Sequence, residues 1–565
     1  MTGLANLWPT PREVELRVGE ISLAEPVRLA LGTDVADWED ALLARLAWLA
    51  PRTGAAVTGA RIRVKRDLGL GEEEYRLVVD DLGIHVTAAT VLGAGQAAVT
   101  LRQLVGPDAF RAVALHRQDW VVPAVRISDG PAHEWRGFML DVARYFTPKD
   151  ELLRIVERLA MHRINRLHLH LTEDQGWRVA SDAYPALAEV ASWRTQTAIG
   201  MMPLDGSVPE LDGTPHGGFY TLDDLREISA YARLHGITVV PEIDLPAHAS
   251  ALMAAIPETV TPGCPVPEVA AVFLPSGRVV SPLPESRHVL DTLIRELADA
   301  VGSPYVHIGG DEAGLADWQS SEAVAAYMAE RDLADVTELR RDLTQHLVAT
   351  VEADGRRAIV WEEAFLAGGL PRSVIVMPWM NEATGAAAAT AGHDVVLTPM
   401  QHCYLDYSED GPDGPLSIGS GMTIERVGAY VPAATPGPGR LLGTHAAVWS
   451  EFTPDAATRA YRMFPRVAVH AANAWTGQAT PWPDARPRLE EHLRRLDAAG
   501  VAYRPLDGPT PWQRGGTGRR RMTSPLTVDI VSRMMQAMAA GDGSLPDLDT
   551  ADLSQLMGDV LESTD

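Results

Sequence analysis

Cysteine is nearly missing: Cys264 and Cys403 are the two thiols in 565 residues. Neither sits in a Cys-x-x-Cys spacing, which excludes a disulfide-stapled scaffold and a cysteine-based zinc or redox centre, and leaves two structural thiols. Basic charge is scarce as well, with 49 Lys and Arg against 75 Asp and Glu and a net charge of −26. No basic face is left for a phosphate backbone or an anionic membrane, so neither nucleic acid nor a membrane is expected as a partner. Long apolar runs are absent too; none approaches the roughly 18 residues that span a bilayer. The N-terminal stretch MTGLANLWPTPREVEL carries no basic segment followed by an apolar one, so the expected location is cytoplasmic.

What remains is an ordinary soluble composition, 46% hydrophobic and 22% charged, in a chain long enough for a barrel-sized core with flanking units. Residues 1–125 alternate short apolar stretches (Val14 to Val18, Ile62 to Val64, Tyr75 to Val79, Ile84 to Val86) with a helical segment around Gly95 to Leu104, which reads as a small non-catalytic α+β domain. Val121-Val122-Pro123 and Asp129-Gly130-Pro131 read as a linker.

From Arg136 the pattern changes to strands separated by amphipathic helices. Candidate strands fall at 136–141, 166–171, 237–243, 305–308, 358–361, 374–379, 393–398 and 441–449. Eight βα repeats are what a closed parallel barrel requires, so the fold class is α/β, a (β/α)8 TIM barrel over 134–505. Its first helix reads as capped by Thr147, with Pro148 in the first turn and Asp150 completing a capping box; Thr221 and Asp224 repeat that start, and Gly236 ends the helix that follows. Residues 506–565 form a C-terminal helical extension: a Gly/Arg-rich stretch from Arg514 to Arg521 and weak amphipathic segments near Val528 to Ala540 and Leu553 to Leu561. No chemistry is assigned to this tail, which reads as linker and packing helix and leaves room for a homodimer.

The stretch Tyr305-Val306-His307-Ile308-Gly309-Gly310-Asp311-Glu312 organises the rest. A β-branched run breaks at two glycines and delivers adjacent carboxylates, as a buried strand does when it ends in a tight turn beside a cleft. Two neighbouring carboxylates repel, and one held at low dielectric has a raised pKa, which suits a general acid. In a barrel the active site lies at the C-terminal strand ends. Those ends carry Asp141 and Arg144; Glu173 and Asp174; Glu242, Asp244 and His248; Asp311 and Glu312; Trp361, Glu362 and Glu363; Trp379; Tyr404 and Asp406; Trp449 and Glu451. Acids ringed by aromatics describe a sugar site, because pyranose rings offer apolar faces for stacking and hydroxyls for charged partners. A competing reading takes His168, His170, His248, His307 and Asp311 as a metal centre of a barrel hydrolase, and it ranks second.

Residues 134–178, 218–248 (GFYTLDDLREISAYARLHGITVVPEIDLPAH) and 307–312 (HIGGDE), with WEEAF at 361–365, YLDY at 404–407 and AVWSEF at 447–452, resemble the family 20 β-N-acetylhexosaminidases. The resemblance covers about 134–480, and the domain before it resembles that family's non-catalytic α/β domain. It implies a retaining exo-hydrolase that releases terminal β-linked GlcNAc or GalNAc, in which the substrate's own 2-acetamido oxygen attacks the anomeric carbon to give an oxazolinium ion. Carried over by position, Glu312 is the general acid/base, Asp311 orients the acetamido N–H, and Tyr404 hydrogen-bonds its oxygen. Trp361, Trp379 and Trp449 wall the acetyl pocket and the sugar face, Arg144 binds O3 and O4, and Asp406 and Glu451 hold O4 and O6. His248 and Glu173 fall where the family has a histidine and an acid that support the general acid. Glu173 is one methylene longer than the aspartate of the best-known members, so a re-spaced relay is expected. The resemblance implies a carbohydrate partner, no metal and no cofactor. A lacto-N-biosidase-like or sulfo-sugar-specific enzyme, and a sugar-binding barrel without turnover, are the alternatives. Arg136 and Asp141 read as barrel-wall ion partners outside the site, and Trp135, Trp177 and Trp193 as packing residues.

Overall fold

The computed structural model describes residues 7–513 and 527–540, apart from 25, 51–60, 114, 201–208, 274 and 411–413. The Gly/Arg-rich stretch and the segment near Leu553 to Leu561 lie outside the described residues.

The N-terminal domain is a six-stranded sheet in the order β1-β6-β4-β5-β3-β2. Its strands are β1 Glu13–Ser22, β2 Arg28–Leu31, β3 Arg61–Arg66, β4 Tyr75–Asp80, β5 Gly83–Ala88 and β6 Val121–Asp129. Along β4, Tyr75, Leu77 and Val79 are fully buried at alternate positions, the period of a half-buried sheet. The helix Val91–Val105 covers this face, capped by Thr90, whose hydroxyl accepts from the N–H groups of Leu92 and Gly93. The linker expected at Val121-Val122-Pro123 is strand β6 instead. Proline cannot donate to a ladder, yet Pro123 faces Glu20 where the β1 register shifts, and β6 pairs with β4 only from Val125 onward. Strand β2, four residues long, was too short to show a period in the sequence.

The barrel closes as eight parallel strands: β7 Trp135–Asp141, β8 Arg166–His170, β9 Thr238–Glu242, β10 Tyr305–His307, β11 Arg357–Trp361, β12 Ile375–Met377, β13 Val395–Leu397 and β14 Leu441–Val448. All eight expected strands are present, with edges within two residues of those expected. The seam pairs β14 with β7, from Gly443 opposite Trp135 to Val448 opposite Leu140. Helix Leu222–Leu234 starts with the expected capping box of Thr221 and Asp224, and Gly236 follows its end at φ +70°. The helix after β7 differs from expectation: it spans Lys149–Met161 with Pro148 as N-cap and no side-chain cap, while the Thr147 hydroxyl is buried without a partner. Tyr220 donates to the Thr147 carbonyl, so a tertiary contact holds this entry in place of a local one.

The two domains share a buried polar seam. Arg136 at the start of β7 pairs with Glu73, Asn165 Nδ2 donates to the same carboxylate at 2.8 Å, and Trp475 Nε1 donates to Asp129 Oδ2 at 3.1 Å. Buried charges of this kind are costly when stripped of one partner, by about 3–5 kcal/mol. Trp135 and Trp177 are fully buried packing residues, as expected, whereas Trp193 is half exposed and lies against Gly217, where a Cβ would meet its ring. Among the described residues no helix is long and apolar enough to cross a membrane.

Candidate active site

Strand β10 ends at His307, and the next turn needs its glycines. Gly309 and Gly310 adopt φ +67° and +111°, and a Cβ on Gly309 would stand 1.6 Å from Asp244 Oδ1. That close approach is used: Asp244 Oδ1 accepts from the Gly310 N–H at 3.1 Å, and the Gly310 carbonyl accepts from Arg340. The turn hands Asp311 and Glu312 into the barrel mouth, with Glu312 itself at φ +46°. Left-handed backbone at a non-glycine residue costs of order 1–3 kcal/mol and persists only where neighbours over-determine it.

His248, also left-handed at φ +52°, joins the two acids to a third. Its Nε2 lies 3.5 Å from Glu312 Oε2 and 3.7 Å from Asp311 Oδ2, and its Nδ1 lies 3.0 Å from Glu173 Oε1. Glu173 is pinned in turn by Arg144 Nη2 at 2.5 Å and His170 Nε2 at 3.2 Å, and accepts from the Asp174 N–H at 2.9 Å. The extra methylene of Glu173 therefore still reaches His248 and at the same time reaches Arg144.

The electrostatics divide these groups. Burial pushes the Glu312 carboxyl up to about 7, Asp311 adds to the rise, and the His248 imidazolium opposes it. Burial alone would raise Glu173, but the cations of Arg144 and His248 outweigh it and hold this carboxyl well below its usual range. His248 is the mirror case: burial disfavours its charge, while Glu173 and Asp244 keep it protonated well above the ordinary histidine range. The result is an ionised Glu173, a charged His248 and a protonatable Glu312 in one line. Burial, reinforced by Glu451, lifts Asp406 to about 8.

Aromatic rings complete the mouth. Trp379 and Tyr404 stack with centroids 6.2 Å apart and planes 17° apart; Trp449 lies 6.0 Å from Tyr404 and 6.3 Å from Trp361. Trp379 is held by Glu363 Oε2 at 3.1 Å and Trp361 by Glu242 Oε1 at 2.8 Å. The Arg144 guanidinium sits over the Trp449 ring, 5.0 Å from its centroid. Glu312, Asp311, Tyr404, His248, Glu173, Arg144, Trp361, Trp379, Asp406, Trp449 and Glu451, the residues to which the family resemblance gives a role, line one cavity of about 320 Å³, whereas Asp174, Glu242, Asp244, Glu362 and Glu363 do not line it. Asp311 Oδ1 is buried without a hydrogen-bond partner, so this carboxylate keeps an unused acceptor.

Asp141 is fully buried and does not line the cavity; it is an ion partner, as read from the sequence, and the residue it holds is Arg144 of the site. Asp141 accepts from the N–H groups of Ala143 and Ser450 and pairs with Arg144 Nη1 at 3.2 Å, tying Arg144 across the barrel seam. Its position at the end of β7 was the available signal. Gln175 Oε1 accepts from Arg144 Nε at 3.3 Å, and Tyr407, Phe273, Met400, Val531 and Met535 also line the cavity; sequence reasoning had not singled these out.

The histidines of the metal reading separate. His168 and His307 face Glu242 inside the barrel, fully buried, and their ligand atoms lie close enough together to hold an ion. His307 Nδ1, however, accepts from the Gly309 N–H at 3.0 Å, and Glu242 receives Trp361 and His170. His307 Nδ1 and the Glu242 carboxylate thus help hold the strand ends together, whereas both ring nitrogens of His168 and Nε2 of His307 make no hydrogen bond. His248 and Asp311 stand apart from that cluster, in the cavity with Glu312.

Comparison with known proteins agrees with this geometry. Residues 133–478 match the catalytic domain of glycosyl hydrolase family 20, and residues 4–130 match domain 2 of the same family. The beta-hexosaminidase of Vibrio furnissii is 32% identical over 480 residues, which cover 83% of this chain and 76% of that protein. The beta-N-acetylhexosaminidase of Cellulomonas fimi is 32% identical over 487 residues, covering 85% and 89%. The solved exo beta-N-acetylglucosaminidase from Vibrio harveyi, in complex with N-acetylglucosamine, superposes with a TM-score of 0.76 at 29% identity over 89% of this chain and 79% of that one. Strand ends, cavity and sequence thus converge: the chain belongs to glycosyl hydrolase family 20.

Proposed function

We propose that the protein is a retaining exo-β-N-acetylhexosaminidase that hydrolyses terminal β-linked GlcNAc or GalNAc with help from the substrate's own acetamido group. The observation that carries this reading is the pairing of Asp311 and Glu312 in one cavity, with Glu312 poised near neutrality and His248 and Glu173 behind it. Glu312 donates its proton to the leaving glycosidic oxygen as the C1–O bond breaks. The acetamido oxygen forms a bond to C1 in its place, and Asp311 meets the positive charge that grows on the nitrogen. Water then adds to C1, Glu312 takes back a proton, and the oxazolinium ring opens with the starting configuration restored. Family 20 is a known exception to the scheme in which a second carboxylate is the nucleophile.

The remaining roles follow the family pattern. Tyr404 hydrogen-bonds the acetamido oxygen, Trp361, Trp379 and Trp449 wall its methyl group and the sugar face, and Arg144, Asp406 and Glu451 hold the ring hydroxyls. The barrel carries the chemistry, and the N-terminal domain is its non-catalytic support. Aryl N-acetyl-β-glucosaminide and -galactosaminide, assayed beside the β-glucoside that lacks the acetamido group, test the reading. Cleavage of the first two and a loss of at least about 10³-fold on the third is expected; equal cleavage of all three overturns substrate assistance. Overnight chelation should leave turnover intact, and a loss restored by zinc would reinstate the metal reading.

A further inference from the structure

The helix Val528–Ala540 lies well past residue 478, where the family's catalytic domain ends, and yet it reaches the cavity. Thr527, just before it, bridges to Ser420, and the Val528 N–H donates to the Ser420 carbonyl at 2.9 Å. Asp529 receives both guanidinium nitrogens of Arg426, one at 2.9 Å and the other at 2.5 Å. One turn on, Ser532 meets Gln401, and Gln536 Nε2 donates to the Met380 carbonyl at 3.2 Å. Met380 directly follows Trp379, and Gln401 lies three residues before Tyr404, so the helix is fastened to the loops that carry the stacked pair. Residues 528, 531, 532, 535 and 536 repeat as i, i+3, i+4, i+7 and i+8, which places them on one helical face. From that face Val531 and Met535 line the cavity together with Met400 and Ile418.

The four side chains form an apolar wall with no donor or acceptor for a ring hydroxyl. Sugar hydroxyls in the reacting position have Arg144, Asp406 and Glu451 as partners on other loops. An apolar wall beside a polar sugar seat suits what is attached to that sugar: the apolar face of a second pyranose, or an aryl group. Methionine adds adaptability, since its unbranched thioether fits different shapes. We infer that Val531 and Met535 are specificity-determining residues that pack against the aglycone, so that the C-terminal helix selects substrates by the apolar surface of their leaving group. This inference rests on the activity proposed above.

The experiment compares three N-acetyl-β-glucosaminides on the full chain: the methyl glycoside, the β-1,4-linked disaccharide and a naphthyl glycoside. Met535→Ala and Val531→Ala should lower kcat/KM about 5- to 20-fold on the disaccharide and naphthyl substrates, chiefly through KM, and change the methyl glycoside by less than twofold. Met535→Trp, which narrows the same space, should penalise the two large aglycones further. Arg426→Asp should reproduce the selective loss by releasing Asp529, and Arg426→Asp combined with Asp529→Arg should restore it. Equal losses on all three substrates would overturn the inference by making the helix a mere prop, and so would unchanged kinetics. Failure of the underlying activity would look different, because the parent chain would then cleave none of the three.

Discussion

His248 Nε2 stands 3.5 Å from Glu312 Oε2 while its other ring nitrogen stands 3.0 Å from Glu173 Oε1. The imidazolium thus shares its charge between an acid that must stay ionised and one that must trade its proton. Burial raises Glu312 further than this cation lowers it, and that balance leaves the carboxyl near neutrality.

The pH profile should report that balance directly. Glu312 works as an acid only when protonated, so kcat/KM should be sustained below pH 7 and fall above it as the carboxyl ionises. Glu312→Gln should abolish this basic limb. It should also cost glycosides with poor leaving groups far more than activated aryl glycosides, which need less proton donation. Because the folded-state value lies above the unfolded one, Glu312 favours folding at low pH, and that contribution is lost as pH rises from about 4.5 to about 7. Melting curves of parent and Glu312→Gln should therefore diverge across that window, in the variant's favour at the upper end.

Asp311→Asn preserves shape and removes the charge that faces the acetamido nitrogen. The chemical step should slow by ~10²–10³, the scale of one lost electrostatic stabiliser, with a smaller change in binding. A thiazoline that copies the oxazolinium ring should inhibit the parent competitively and bind the variant more weakly, since it mimics the state this charge stabilises. Steady-state kinetics with and without the thiazoline check both points.

Glu173→Gln tests the acid behind the histidine. Without that carboxylate His248 loses its main reason to stay charged, so the cation beside Glu312 weakens and the basic limb should move to higher pH. Turnover should drop by less than the ~10²–10⁴-fold that a general acid itself contributes. Glu173→Asp, one methylene shorter, should recover the pH profile if it still reaches His248, and its contact with Arg144 is the one expected to lengthen.

Gly309→Ala addresses the turn itself. The new methyl would collide with Asp244 Oδ1 in a backbone region that disfavours any side chain. A stability loss of roughly 1–3 kcal/mol is expected from denaturant curves, together with near-complete loss of turnover, because Asp311 and Glu312 ride on this turn. Gly302→Ala, at a positive-φ helix end with open space around it, is the control that should cost stability without touching kcat.

The barrel was legible in the sequence because most of its strands are short apolar runs between amphipathic helices, as parallel strands covered on both faces require. The site was legible because acids and aromatics cluster where those runs stop. Strand β6 was hidden by Pro123, which normally marks a break and here sits beyond the reach of β4's ladder. The cap assigned to Thr147 failed because a tertiary partner, Tyr220, satisfies that entry from elsewhere in the chain. Asp141 was legible as an ion partner, but not that its partner is Arg144, since a strand-end acid looks the same whichever cation it holds. Val531 and Met535 were beyond reach: a helical stripe shows that a face is covered, never by what.

The seam between β14 and β7 has a temporal meaning. Tyr145 N–H donates to Ser450 Oγ and Ser450 N–H to Asp141 Oδ2, so Arg144 on one flank and Glu451 on the other meet only when strands some three hundred positions apart have paired. Contacts of such long sequence separation form late. The residues that surround the sugar seat are therefore all present only once the chain has been made through its eighth barrel strand, and the seam is where the two ends of the barrel complete the site.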